Sequence, residues 1–273
     1  MRFEKIMARL HDGRHLRVDD WHIQAGEYWA IIGTNGSGKT ALSALPGGRL
    51  RLAHGTVTDV PADVAYVSLE AQAEQIEIER KNDESDLTDM ADKGTLVREL
   101  LAPIEDVAAL IDGLGIRKLL DSGFRDLSTG ESRKVLWVNR LRQQHGLLVL
   151  DEPYEGLDVS SRAFVRNLLN ELHATAQPVL WVANRLDELP DWISHVAFVH
   201  DATLVAQGPR AEVLGLPEVQ ALIHFDRELP ALPPPPRPPL VLADGEPLVG
   251  LTNGRIVYDE RELFAGLDWA IKP

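Results

Sequence analysis

The octet Gly33-Thr34-Asn35-Gly36-Ser37-Gly38-Lys39-Thr40, directly after the apolar run Tyr28-Trp29-Ala30-Ile31-Ile32, limits the fold of this chain more than any other feature. Its spacing, G-x-x-x-x-G-K-[ST], carries meaning when a buried strand precedes it and a helix opens out of it, and the local pattern predicts both. Glycines let backbone N–H groups curl round phosphate oxygens without a side chain in the way. The lysine reaches the β and γ phosphates, and the threonine hydroxyl is a ligand suited to Mg2+. At glycine's usual abundance such a match arises by accident in roughly one chain in a hundred of this length. Gly33 through Thr40, with the following Ala41, are therefore candidates for holding a nucleotide, and Thr40 for holding a metal ion.

A strand of this kind needs partners. Leu147-Leu148-Val149-Leu150, Val179-Leu180-Trp181-Val182-Ala183 and Val196-Ala197-Phe198-Val199 are also continuous apolar runs, the pattern of parallel strands covered on both faces. Helical stretches alternate with them, one opening near Gly38 and another running from Val159 to His173, so the fold class is α/β. The Leu147 strand delivers two acids to the sheet edge. Asp151 is placed to hold Mg2+ through water, and Glu152 to polarise an attacking water as general base. Read alone, two acids at a strand end are solvated surface; the phosphate loop in the same chain favours the chemical reading.

With 273 residues, 44% of them hydrophobic, the chain can bury one large core and leave a remainder. The remainder begins at Leu229–Pro239, where seven of eleven residues are proline, a stiff extended spacer. Beyond it Asp268-Trp269-Ala270-Ile271 echoes Asp20-Trp21-His22-Ile23, which predicts a second domain restarting the first. The expected organisation is a domain over 1–225, a linker over 226–240 and a second, truncated domain start over 241–273. The acidic stretch Glu74 to Lys93 reads as a solvated insertion, because its carboxylates lack the spacing of a calcium loop. There is no cysteine, no run of about 18 apolar residues and no signal-peptide layout, so a cytoplasmic protein, able to sit on the inner face of a membrane, is expected. The formal charge of −14 disfavours a nucleic-acid partner, Arg49 to Arg51 being the one basic patch that could oppose it.

Two further motifs carry a family resemblance. Leu127-Ser128-Thr129-Gly130-Glu131 resembles the LSGGQ signature of ATP-binding cassette (ABC) ATPases, and Tyr154-Glu155-Gly156-Leu157-Asp158 resembles their D-loop. Four motifs in the family order cover the chain to about residue 225. The resemblance implies a P-loop cassette with a mainly parallel core sheet, N-terminal antiparallel strands and a helical subdomain. It implies ATP and Mg2+ as cofactors, hydrolysis to ADP and phosphate, and head-to-tail closure on a second cassette, in cis in a longer protein or in a homodimer. Ser128, Thr129, Gly130 and Glu131 would then serve the partner's nucleotide, with Asp158 at the join. Finer matches around Ser132-Arg133-Lys134 and Asn184-Arg185-Leu186 are similar to a tandem-cassette branch linked to molybdate transport, which implies a membrane permease as a further partner. Soluble action on nucleic acid or ribosome, and a slow nucleotide-sensing half of an asymmetric pair, are the alternatives.

This chain departs from the family in three places. Asn184 stands where a histidine is usual; an amide donates a hydrogen bond but carries no charge, so slower hydrolysis is expected. The glutamine usual after the strand Val64 to Val67 is missing; Ser68-Leu69-Glu70 stands in its place with Gln72 nearby, so Glu70 is the expected substitute for sensing metal and water, a plain surface role being the alternative. The aromatic that stacks on adenine has no clear equivalent.

Overall fold

The computed structural model of the protein describes residues 1–81, 93–224, 247–258 and 261–272. The chain divides into two compact units, Met1–Asp226 and Arg227–Pro273. The linker expected over 226–240, with its proline spacer, lies outside the described residues.

The first unit contains β1 (Arg2–Arg9), β2 (His15–His22), β3 (Trp29–Ile32), β4 (Leu52–Thr58), β5 (Val64–Val67), β6 (Leu147–Asp151), β7 (Val179–Val182), β8 (His195–His200) and β9 (Thr203–Pro209). They form one sheet in the order β4-β1-β2-β9-β8-β3-β7-β6-β5. Strands β5, β6, β7, β3 and β8 run parallel, while β8–β9, β1–β2 and β1–β4 pair antiparallel. This is the α/β class that the apolar runs predict, with the mainly parallel core and N-terminal antiparallel strands that the resemblance implies. Alternate side chains of each apolar run face opposite sides of the sheet. Ala30, Ile32, Leu148, Leu150, Val179 and Trp181 enter one core. Trp29, Ile31, Leu147, Val149, Leu180 and Val182 enter the other. Burial on both faces explains why these strands are apolar without alternation.

The helices are α1 (Lys39–Ser43), α2 (Leu69–Lys81), α3 (Val97–Leu100), α4 (Ile104–Gly113), α5 (Thr129–Leu141), α6 (Val159–Ala174), α7 (Arg210–Leu214) and α8 (Pro217–His224). Helices α2 to α5 are the helical subdomain. In α4 the buried Val107 and Ile111 are four residues apart, one apolar stripe, and Glu105 and Asp106 in the first turn suit its positive end. Truncating Ile111, fully buried, to alanine costs about 2–5 kcal/mol.

One residue of the acidic stretch differs from expectation. Glu74 to Lys81 belongs to α2, and Glu79 is buried, accepting hydrogen bonds from the Thr95 N–H at 2.9 Å and Gln75 Nε2 at 3.2 Å. A buried carboxylate persists where the returning chain supplies donors, so Glu79 is docked, while Glu74, Glu77, Arg80 and Lys81 around it are exposed. Residues 82–92 of the stretch lie outside the described residues.

The second unit contains β10 (Val249–Tyr258) and β11 (Arg261–Ile271), paired antiparallel with Leu251 opposite Trp269 and Val249 opposite Ile271. In the first unit Phe3 stands opposite Trp21. The repeated Asp-Trp-x-Ile segment thus occupies the second strand of a hairpin both times.

Candidate nucleotide site

The phosphate loop connects β3 to α1 under the turn between β8 and β9. Gly33 has φ +154°, and a Cβ there would lie 2.2 Å from the Val199 carbonyl oxygen and 2.7 Å from Ser37 Oγ. A Cβ on Gly38, φ +104°, would lie 3.2 Å from Ala202 Cα, and Ala202 donates its N–H to Ser37 O at 2.7 Å. These glycines are required by the packed turn as well as by any phosphate. The helix that follows has five residues, so the backbone N–H groups of the loop matter here more than a long helix dipole. Lys39 is buried and its Nζ donates to the carbonyls of Gly33 and Thr34, each at 3.0 Å. Burial lowers its pKa, and the charges of Glu152 and Asp151 oppose that.

Strand β6 is wholly buried and ends on Asp151, 6% exposed. Burial pushes the Asp151 carboxyl up to about 6, with the Glu70 charge acting in the same sense and the Thr40 hydrogen bond, Lys39 and Arg133 acting against it. Its Oδ2 is buried without a hydrogen-bond partner among the described residues. An unpaired carboxylate oxygen beside a threonine hydroxyl is a hard-oxygen setting that fits Mg2+. Glu152, the next residue, takes φ +49°, the left-handed region that non-glycine residues avoid. Asn184 Nδ2 donates to its Oε1. Partial burial, then the charges of Glu155 and Asp151, raise the Glu152 pKa, which makes it a stronger base once ionised.

A cavity of about 470 Å³ collects the expected residues Asn35, Gly36, Gly38, Lys39, Thr40, Ala41, Glu152 and Asn184, together with Arg14, Leu69 and Glu155. A neighbouring cavity shares Thr40 and Ala41 and adds Asp151, Glu70, Leu10 and Tyr66. Glu70 thus shares a cavity with Thr40 and Asp151, and Asn184 shares one with Thr40, Lys39 and Glu152. Gln72, two residues on, points elsewhere, donating to Thr129 O at 2.9 Å and Ser132 Oγ at 2.7 Å.

The signature lines neither cavity. Ser128 caps α5 in a reciprocal box, its backbone N–H donating to Glu131 Oε2 at 3.0 Å while Oγ accepts from the Glu131 N–H at 3.3 Å. Asp158 caps α6 and also pairs with Lys134 at 2.5 Å, contacts that hold its carboxyl far below the usual range.

Arg14 was not among the sequence candidates. Its Nη2 donates to Gly36 O at 2.7 Å, and it pairs with Asp12 at 2.6 Å and Asp201 at 3.3 Å. The turn Asp12-Gly13-Arg14 was legible, but its approach to the phosphate loop comes from sheet topology. The basic patch at Arg49 is largely spoken for: its guanidinium lies 4.0 Å above the Tyr66 ring and 3.1 Å from Glu74.

Phosphate loop, buried strand-end carboxylate, the adjacent glutamate and a mainly parallel sheet define a P-loop nucleotide-binding cassette. The family model described as ABC transporter matches residues 16–155, and the chain belongs to that family. Among curated proteins it is similar to the ABC transporter ATP-binding protein ModF of Escherichia coli strain K12, 32% identical over 97% of this chain and 56% of the relative. An uncharacterized ABC transporter ATP-binding protein of Schizosaccharomyces pombe is 25% identical over 89% of this chain and 53% of the relative. The chain thus spans about half the length of these two proteins. Among solved structures, an ATP-binding subunit of an ABC transporter superposes with TM-score 0.62 at 17% identity, covering 78% of this chain and 91% of the other, a likeness of fold.

Proposed function

We propose that this chain binds Mg-ATP at Gly33 to Ala41 and hydrolyses it, as one of two cassettes that close head-to-tail to energise transport. The observation that carries this reading is the convergence of Lys39, Thr40, Glu152 and Asn184 on one cavity, with the unpaired Asp151 Oδ2 beside Thr40. Thr40 and Asp151 would hold Mg2+, which would supply positive charge against the negative charge that develops on the phosphate oxygens. Lys39 leaves the loop carbonyls for the β and γ phosphates. Glu152 takes the proton of the attacking water, whose oxygen bonds to the γ-phosphorus as the bridge to ADP breaks. Asn184 holds the Glu152 carboxylate in place, and without a histidine at that position turnover is slow. Glu70, in the cavity that also holds Thr40 and Asp151, would orient water beside a bound Mg2+.

That the signature lines neither of the two cavities at the phosphate loop supports the sandwich. Ser128, Thr129, Gly130 and Glu131 serve the phosphates of a second cassette, with Asp158 at the junction. The hairpin of β10 and β11 opens a further cassette by its echo of β1 and β2, so the partner is supplied in cis in a longer protein or by a second copy. The resemblance to ModF makes a membrane permease the next partner, molybdate or a related small oxyanion the cargo, and the cytoplasmic face of a membrane the place of work.

Light scattering of Glu152→Gln with and without Mg-ATP tests the sandwich. Doubling of the mass with ATP, abolished by adding Ser128→Arg, supports it. Doubling that survives Ser128→Arg removes the signature from the interface, and an ATP-bound chain that stays single excludes the homodimer.

A further inference from the structure

Helix α5 carries, one turn beyond its Ser128 cap, a residue that the cavity does not contain. Arg133 is 1% exposed. Its Nη2 donates to the backbone carbonyl oxygens of Glu152 at 2.6 Å and Asp151 at 3.2 Å. Its Nε and Nη1 are buried without partners among the described residues. Burying a guanidinium with donors unpaired is costly, and an apolar side chain of like length would fill the space at less cost. What the guanidinium supplies that a methionine cannot is the pair of carbonyl bonds.

Those bonds fall where the backbone is strained. Strand β6 ends at Asp151, and Glu152 turns into the left-handed region at φ +49°, a conformation that persists only when its surroundings hold it. Three contacts do so: the Glu152 N–H donates to Val182 O at 3.1 Å, Glu155 N–H donates to Glu152 O at 3.0 Å, and Arg133 donates to that same oxygen at 2.6 Å. The first two come from the neighbouring strand and from the turn itself. Only the third comes from another layer of the molecule.

We propose that Arg133 is a positioning residue: by holding the carbonyls of Asp151 and Glu152 it keeps Glu152 left-handed, so that the Glu152 carboxylate faces the nucleotide cavity. This rests on the hydrolytic reading above and deepens it. The same helix is fastened to the following loop by Lys134 on Asp158, and Gly130 lies so near that a Cβ on it would sit 3.0 Å from Gly156 O. A shift of the signature end of α5 is therefore felt at Glu152 through Arg133, without passing through the nucleotide.

The test uses the full chain with Arg133→Met and Arg133→Lys, read in two ways. The first is the 13Cα and 13Cβ shifts of Glu152, which report its φ and ψ. The second is steady-state hydrolysis of Mg-ATP, split into kcat and KM. We expect Arg133→Met to move the Glu152 signals away from left-handed values while Lys39 keeps its own, and to lower kcat by roughly ten- to a hundredfold with KM little changed. Arg133→Lys, which keeps one donor, recovers part of both. Unmoved Glu152 signals in Arg133→Met overturn the proposal whatever the rate. If the unsubstituted chain hydrolyses no ATP but the Glu152 signals still move, the hydrolytic reading fails and the positioning contact stands. Arg133→Gln is read by the same shifts should the methionine variant not fold.

Discussion

The phosphate end of this cassette and its signature end solve opposite problems. At the phosphate end, polar groups are buried and left wanting: Lys39 rests on carbonyls, Asp151 Oδ2 has no partner, and Glu152 occupies a strained backbone conformation. At the signature end Ser128 and Glu131 satisfy each other in a capping box, at an exposed surface. The first arrangement costs folding free energy that a ligand can return. The second is stable by itself, so whatever it does for a nucleotide it does outward, at no expense to its own helix.

The contrast is sharpened most by Glu152→Gln, which removes the base and keeps the shape. Hydrolysis falls by roughly 10²–10⁴ in a steady-state phosphate-release assay, while Ser128→Ala leaves ATP affinity at this chain's own loop unchanged in calorimetry. Gly33→Ala tests whether the loop is set by the fold. With Val199 O 2.2 Å from the added carbon, we expect a loss of about 1–3 kcal/mol in denaturant unfolding and weakened ATP binding.

Asp151→Asn should go the other way on stability. The carboxyl titrates near 6 when folded, above its unfolded value, so its contribution to stability is present in acid and lost as pH rises through 6. At neutral pH the folded chain carries the full cost of the buried charge. Removing it gains about 1–3 kcal/mol without ligand, measured by unfolding, and flattens that part of the pH dependence. The smallest effect is at the cap: Ser128→Ala costs about 1 kcal/mol of stability. A gain in stability there, or a loss in Asp151→Asn, breaks the comparison.

How much of this was legible in the sequence follows from range. The phosphate loop, the Asp151–Glu152 pair and the doubly buried strands are written in consecutive residues, and the strands stand where their pattern placed them. Arg14 on Gly36, Gln72 on Thr129 and Arg133 on Glu152 join residues far apart in sequence, and only the layering of sheet and helix creates them. Glu79 misled for the same reason, since its charge reads as surface until the Thr95 N–H is brought to it. The two hairpins show what is local: Trp21 and Trp269 share local sequence, and each lies in the second strand of its hairpin, opposite Phe3 and Leu251.

The central claim is that Glu152, held against Asn184 beside Lys39, is the base of an ATP-hydrolysing site. Steady-state phosphate release from Mg-ATP by the unsubstituted chain and by Glu152→Gln, with ATP affinity of both measured by calorimetry, tests it most directly. The account predicts slow turnover in the first, loss in the second and equal affinity in both. Equal turnover in the two, or affinity lost together with turnover, would contradict it.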